Sequence, residues 1–211
     1  MCQSISGVAV KSGDSVKVYT LRDEDSHEAI RKEYGIGDGL EPSARYQTPV
    51  ELVPVRGLRR LEDMDFIFDD ERPDWWDDEM TEEAKRQLFS VWLLRWDGDI
   101  LSMKGSLNLG SLTSIPKGVT LKAGGDLYLG RLTSIAQGVT LKAGGDLYLE
   151  RLTSIPKGVT LKVGGDLYLG RLTTIAKGCR FSAASYYTSS GWYKTSAEMQ
   201  KAVAALQEGW E

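Results

Sequence analysis

The chain has 211 residues, 41% of them apolar and 27% charged, a length and balance suited to one or two globular domains. It holds no run of 18 apolar residues, which argues against a membrane-spanning helix, and its opening MCQSISGVAV lacks the basic-then-apolar layout of a secretory signal. The net charge of −4 conceals an asymmetry: Leu101–Arg180 carries eleven basic and four acidic residues, a net of +7, leaving −11 for the rest, and such a field steers encounters with charged partners.

The N-terminal region reads as α/β. Ile5–Val10 and Val16–Leu21 alternate as a hairpin, turned at Lys11-Ser12-Gly13-Asp14. Asp25-Ser26-His27-Glu28 predicts a helix start, with Asp25 as the cap and Glu28 reaching back, and the helix should stop near Gly35-Ile36-Gly37. Val50–Val55 and Met64–Phe68 are further strand candidates, the first weakened by Pro54. Thr81-Glu82-Glu83 opens an amphipathic helix running through Trp92–Trp96. Its Leu88, Phe89, Val91, Trp92 and Leu94 are suited to cover the first coil of a repeat array that begins near Ile100.

Between Glu62 and Glu83 lie twelve carboxylates opposed only by Arg72, with Phe68, Trp75 and Trp76 interleaved. Asp70, Glu71, Asp74, Asp77 and Asp78 around the two tryptophans could mimic the charge of nucleic acid or anchor a protein partner. They could equally be a solvated loop with its tryptophans tucked inward.

From residue 100 the chain repeats. Leu107/127/147/167, Leu109/129/149/169, Leu112/132/152/172, Ile115/135/155/175 and Gly118/138/158/178 recur every 20 residues, giving about four coils that end near Phe181. Val119–Ala123 and Asp126–Gly130 alternate apolar and polar, as strands with one buried face do, and Gly124-Gly125 between them suits a corner needing positive φ. A single coil cannot bury its leucines, but stacked coils can, at a spacing of about 4.8 Å. The pattern predicts an α+β protein with an acidic N-terminal domain over 1–98, a β-solenoid over 99–181, and an aromatic linker and C-terminal capping helix over 182–211. Thr195-Ser196-Ala197-Glu198 is a capping box for that helix, which should present Met199, Val203 and Leu206 on one face and end near Gly209. The stretch 182–194, with Tyr186, Tyr187, Trp192 and Tyr193, is either a lid on the last coil or an exposed aromatic patch.

Stacking places outward residues in columns. Tyr128, Tyr148 and Tyr168 form one, continued by Asn108 and flanked by Asp126, Asp146 and Asp166. It serves as a binding surface or as a ladder that only stabilises the stack. Lys122, Lys142 and Lys162 form a second column and Arg131, Arg151 and Arg171 a third, suited to phosphate or an acidic protein surface, or simply solvated. Cys179 replaces the valine of earlier coils as a small core residue. With one His and no paired Cys, no metal motif is visible and no cofactor is expected.

The unit LxLxxLTSIPxG resembles the 20-residue leucine-rich repeats of bacteria over 101–180. It departs where the turn asparagine of that family is replaced by Arg131, Arg151 and Arg171 or a neighbouring Gly, so a curved horseshoe and a straighter two-sheet solenoid both satisfy it. The form GGDLYL…LTSIPKG is also similar to repeats in uncharacterised phage and mobile-element proteins, in which a Cys near the start, a DSH tripeptide and a Trp-rich acidic stretch precede the repeats. Cys2, Asp25-Ser26-His27 and Pro73-Asp74-Trp75-Trp76 fit that outline. This resemblance points to a non-enzymatic protein-binding module, an anti-CRISPR-like inhibitor or modulator of a host defence or nucleic-acid-handling protein, while Cys2 and Cys179, far apart in sequence, suit a reduced cytoplasmic compartment. Two alternatives stand beside it. MCQSISGV resembles, without the following Gly, the MCG start of amidotransferases, which implies a cysteine-dependent hydrolase or transferase using Cys2 and His27. The basic solenoid could instead bind nucleic acid. Its strand edges also offer a route to a homodimer.

Overall fold

The computed structural model of the chain describes residues 5–37 and 46–208. Cys2, Gly209 and the side chain of Leu206 lie outside the described residues. The fold is α+β: an N-terminal β region with two helices, a β-solenoid of about four turns over 100–188, and a C-terminal helix. The chain divides into two compact units, Met1–Pro54 with Leu58–Trp96, and Val55–Gly57 with Asp97–Glu211. Among the described residues no helix is long and apolar enough to cross a membrane.

In the first unit β1 (Ile5–Ser12) turns at Gly13, φ 61°, into β2 (Ser15–Tyr19); α1 (His27–Tyr34), β3 (Gln47–Pro54), β4 (Met64–Phe68) and α2 (Asp78–Leu94) follow. The strands form one antiparallel sheet in the order β2-β1-β3-β4. Ile5, Val8, Ile30, Leu52, Leu88 and Trp92 are fully buried and make its core.

Two caps differ from expectation. Ser26, not Asp25, caps α1 by accepting a hydrogen bond from Ala29 N, because Asp25 is taken by the buried guanidinium of Arg95 at 2.7 Å. Asp77 accepts from Met80 N and starts α2 before Thr81. The apolar stripe of α2 lies against its own unit's sheet. Gln87 accepts from Val18 N at 2.8 Å and donates to the Val16 carbonyl at 2.9 Å, so one side chain covers the open edge of β2. Trp92 donates its indole N–H to the Leu58 carbonyl at 2.7 Å. Leu94, expected to cover the first coil, is 59% exposed.

In the second unit each coil contributes strands to three faces. On the first face Ile100–Met103, Thr120–Ala123, Thr140–Ala143, Thr160–Val163 and Arg180–Ser182 run parallel and in register. On the second, Leu107–Asn108, Leu127–Tyr128, Leu147–Tyr148 and Asp166–Leu169 do the same, with Leu107, Leu127, Leu147 and Leu167 aligned and wholly buried. The third face, expected only as a return segment, carries two-residue strands at Ser114–Ile115, Ser134–Ile135, Ser154–Ile155 and Thr174–Ile175.

That third ladder is split. The first coil pairs with the second and the third with the fourth, through Ala136 N to the Ile115 carbonyl and Ala176 N to the Ile155 carbonyl. The equivalent position in the third coil is Pro156, which has no N–H to give to Ile135, and the ladder stops there.

The glycines do different work from that expected. Positive φ falls at Gly118, Gly138, Gly158 and Gly178 (84°, 74°, 77° and 82°), not at the Gly-Gly pairs. Gly124, Gly144 and Gly164 are required by close approach, since a Cβ on any of them would overlap the carbonyl of Lys104, Gly124 or Gly144 in the coil before. Nor does the stack end at Phe181. Ser185–Thr188 adds a further parallel strand one residue early, pairing Tyr187 with Tyr168, and Gly191–Tyr193 hairpins back on it. α3 (Ser196–Glu208) completes the unit, opened by the expected capping box: Glu198 N donates to Thr195 Oγ1 while the Glu198 carboxylate accepts from Thr195 N and Lys194 N. Its Met199 and Val203 are buried.

Candidate functional site

The second face of the solenoid carries an aromatic row. The Tyr128, Tyr148 and Tyr168 rings stack at 4.8 and 4.7 Å, within 7° of parallel, because residues 20 apart share one register. The flanking aspartates are occupied internally. Asp126 Oδ1 accepts from Asp146 N and Asp146 Oδ1 from Asp166 N, both at 2.8 Å, while their Oδ2 atoms accept from the hydroxyls of Tyr128 (2.9 Å) and Tyr148 (3.2 Å). Burial first, and then the charge of Asp146, push the Tyr148 hydroxyl up to about 12, so it remains a neutral donor. The acidic column is therefore a spine of the coil stack, and the middle of the row is a ladder.

The end of the row is different. Tyr187 continues it in register, and Trp192 sets its edge on Tyr168 at 5.7 Å and packs on Tyr187 at 5.1 Å. Trp192 is 55% exposed and Tyr187 37%, while Tyr186 beside them is buried. The stretch 182–194 is thus both lid and exposed patch. The one-residue shift hid this extension from the 20-residue period. The matching signal is Ser185-Tyr186-Tyr187-Thr188 laid against Asp166-Leu167-Tyr168-Leu169.

Lys122, Lys142 and Lys162 align in register on the first face, and Arg131, Arg151 and Arg171 are exposed. The carboxylates of Asp126 and Asp146 are turned to backbone N–H groups and tyrosine hydroxyls rather than to these cations. Ion pairs such as Arg60 with Asp63, Arg72 with Asp78 and Arg86 with Glu83 belong to the first unit.

The acidic segment is partly structural. Trp76 is buried between Phe66 and Phe68, at 5.9 and 5.1 Å, and donates its indole N–H to Thr81 Oγ1 at 2.8 Å, so it packs into the core of its unit. Trp75 stays half-buried at the rim, 5.5 Å from Trp76 and 6.4 Å from Tyr46, with Lys11 Nζ over its ring. Asp77 caps α2 and Asp78 pairs with Arg72, whereas Asp70, Glu71 and Asp74 are exposed.

His27 is buried, its Nδ1 2.9 Å from Asp69 Oδ2 and its Nε2 3.3 Å from the Val50 carbonyl. Both ring nitrogens face partners within the unit, and Glu51 joins Asp69 and His27 in one cluster that the linear sequence does not reveal. Burial pushes the Cys179 thiol up and its Sγ donates to the Pro156 carbonyl at 3.1 Å, but the residue is only partly buried, where a core position was expected, because it lies at the last coil beside α3. No family model, no curated protein and no solved structure matches this chain.

Proposed function

We propose that this chain is a non-enzymatic protein-binding module whose contact surface is the aromatic row of the solenoid, centred on Tyr187 and Trp192. The observation that carries the reading is Trp192, more than half exposed at the end of a rigid stack of rings. Exposed tryptophan and tyrosine on a preorganised frame are the side chains that dominate binding energy at protein interfaces. The rows of cations beside the stack add long-range attraction toward an acidic partner. In its narrower form the reading is the one the phage-type repeats imply, occlusion of a host defence or nucleic-acid-handling protein. The exposed carboxylates Asp70, Glu71 and Asp74 beside Trp75 support a second contact with the basic groove of such a target.

The test is affinity capture from bacterial lysate with wild type, a Tyr187→Ala/Trp192→Ala variant and a Trp75→Ala variant, followed by mass spectrometry and binding to the purified partner. The reading expects a partner retained by wild type and weakened at least about 30-fold by the double variant. Identical capture by wild type and double variant overturns it. Capture of nucleic acid alone, falling steeply with salt, transfers the role to the basic columns.

A further inference from the structure

We propose that His27, Glu51 and Asp69 form a binding site for a divalent first-row metal ion such as Zn2+ or Mn2+ in the N-terminal unit. Three elements meet there. His27 is the first residue of α1, Glu51 lies on the inner strand β3, and Asp69 follows β4, held by its N–H to the Pro49 carbonyl at 3.3 Å. One donor atom from each falls within 4.8 Å of the other two.

The orientation of the imidazole points to a metal. A backbone carbonyl only accepts, so Nε2 facing the Val50 oxygen carries the ring proton. That leaves the Nδ1 lone pair turned toward Asp69 Oδ2 at 2.9 Å, with a Glu51 carboxylate oxygen in the same cluster. A carboxylate oxygen and an imidazole nitrogen so placed can share a cation, either a second ring proton or a metal ion. Two ligands bonded at about 2.1 Å and set at a right angle lie about 3.0 Å apart, and about 3.4 Å apart at a tetrahedral angle. The observed 2.9 Å matches the first arrangement, and a small rotation of the carboxylates closes the 4.8 Å limit.

The surroundings fit as well. A metal-binding histidine is tethered through its other N–H to a carbonyl or carboxylate, which fixes the tautomer, and Val50 supplies that tether. Glu51 is 2% exposed, and its contact with Ser6 Oγ, 3.5 Å from Oε1, is long enough to let the carboxylate turn toward the other two ligands. Asp69, with a side chain 36% exposed, opens a route in from solvent. Two carboxylates and a neutral imidazole carry −2, matched by a divalent ion. The mixed nitrogen and oxygen set favours Zn2+ or Mn2+ over Ca2+, which takes oxygen alone. Three protein ligands leave the remaining positions to water.

The experiment uses the full chain, stripped with a chelator and titrated with Zn2+ and with Mn2+ by calorimetry and thermal melting. One equivalent should bind, and the melting point should rise by about 5 °C or more once the ion is in hundredfold excess over its Kd. Asp69→Asn, which keeps the size of a side chain at the rim, should weaken binding at least about tenfold, as should His27→Gln. Asp70→Asn, one residue away, should leave it unchanged. If the intact chain binds neither ion stoichiometrically, or if Asp69→Asn binds as tightly as wild type, the proposal is overturned. Should His27→Gln fail to fold, the Asp69→Asn titration decides alone.

Discussion

The two units of this chain satisfy their buried polar groups in opposite ways. In the solenoid the interactions are translations. Asp126 bonds the N–H of Asp146, Asp146 that of Asp166, and the leucines repeat the same step. In the N-terminal unit the partners come from far apart. Arg95 reaches back to Asp25, Gln87 to Val16 and Val18, and His27 across to Asp69. A translational structure puts a whole column at risk from one misplaced atom, because each coil sits directly on the last. A convergent one puts its risk in a few unique contacts.

The largest effect should come from the Gly-Gly corners. Gly144→Ala sets a methyl group against the Gly124 carbonyl and should destabilise the solenoid by about 4 kcal/mol or more in urea unfolding. Gly138→Ala, where nothing lies within 4 Å of a Cβ but φ is 74°, should cost only about 1–2 kcal/mol. Equal losses at the two positions would break the distinction between close approach and strain. The convergent unit has its counterpart in Asp25→Ala, which leaves the Arg95 guanidinium buried without its carboxylate. Its loss should be about 3–5 kcal/mol, visible as a lower melting point. Ala136→Pro should be milder, about 1 kcal/mol, because it removes only the bond to Ile115 at a position where Pro116 and Pro156 already stand in neighbouring coils.

The smallest effect concerns alkaline pH. Tyr148 holds its proton to about 12 in the folded chain, whereas in the unfolded chain it titrates near 10. The unfolded state then binds fewer protons between those values, so its share of stability, intact below 10, declines as pH rises toward 12. Tyr148→Phe should flatten that part of the profile. An unchanged slope would mean that the ladder holds its hydroxyls no more tightly than water does.

The same contrast separates what is legible in the sequence from what is not. A 20-residue period with alternating leucines dictates stacking, because one coil alone cannot bury Leu127 and Leu129, and the columns follow from register. The role of Gly144 is hidden, since contact between coils leaves the same letter in the sequence as a turn does. Tyr187 is masked by a one-residue shortening. In the N-terminal unit, Asp25-Ser26-His27 stands out as a tripeptide, but its three tasks — ion pair, helix cap and cluster with Glu51 and Asp69 — depend on chain brought in from Arg95, β3 and β4. No local pattern marks such convergence.

Pro156 has a consequence for how this fold can change length. Position 116 is Pro, 136 Ala, 156 Pro and 176 Ala, so each proline-bearing turn shares the third ladder with the alanine-bearing turn after it, whereas the third coil meets the one before it there only through Gly138 N and the Lys157 carbonyl. The third ladder therefore repeats in pairs of turns, although the two main faces repeat turn by turn. Duplicating or deleting one pair preserves the alternation of that ladder, whereas adding a single turn sets two of the same kind side by side.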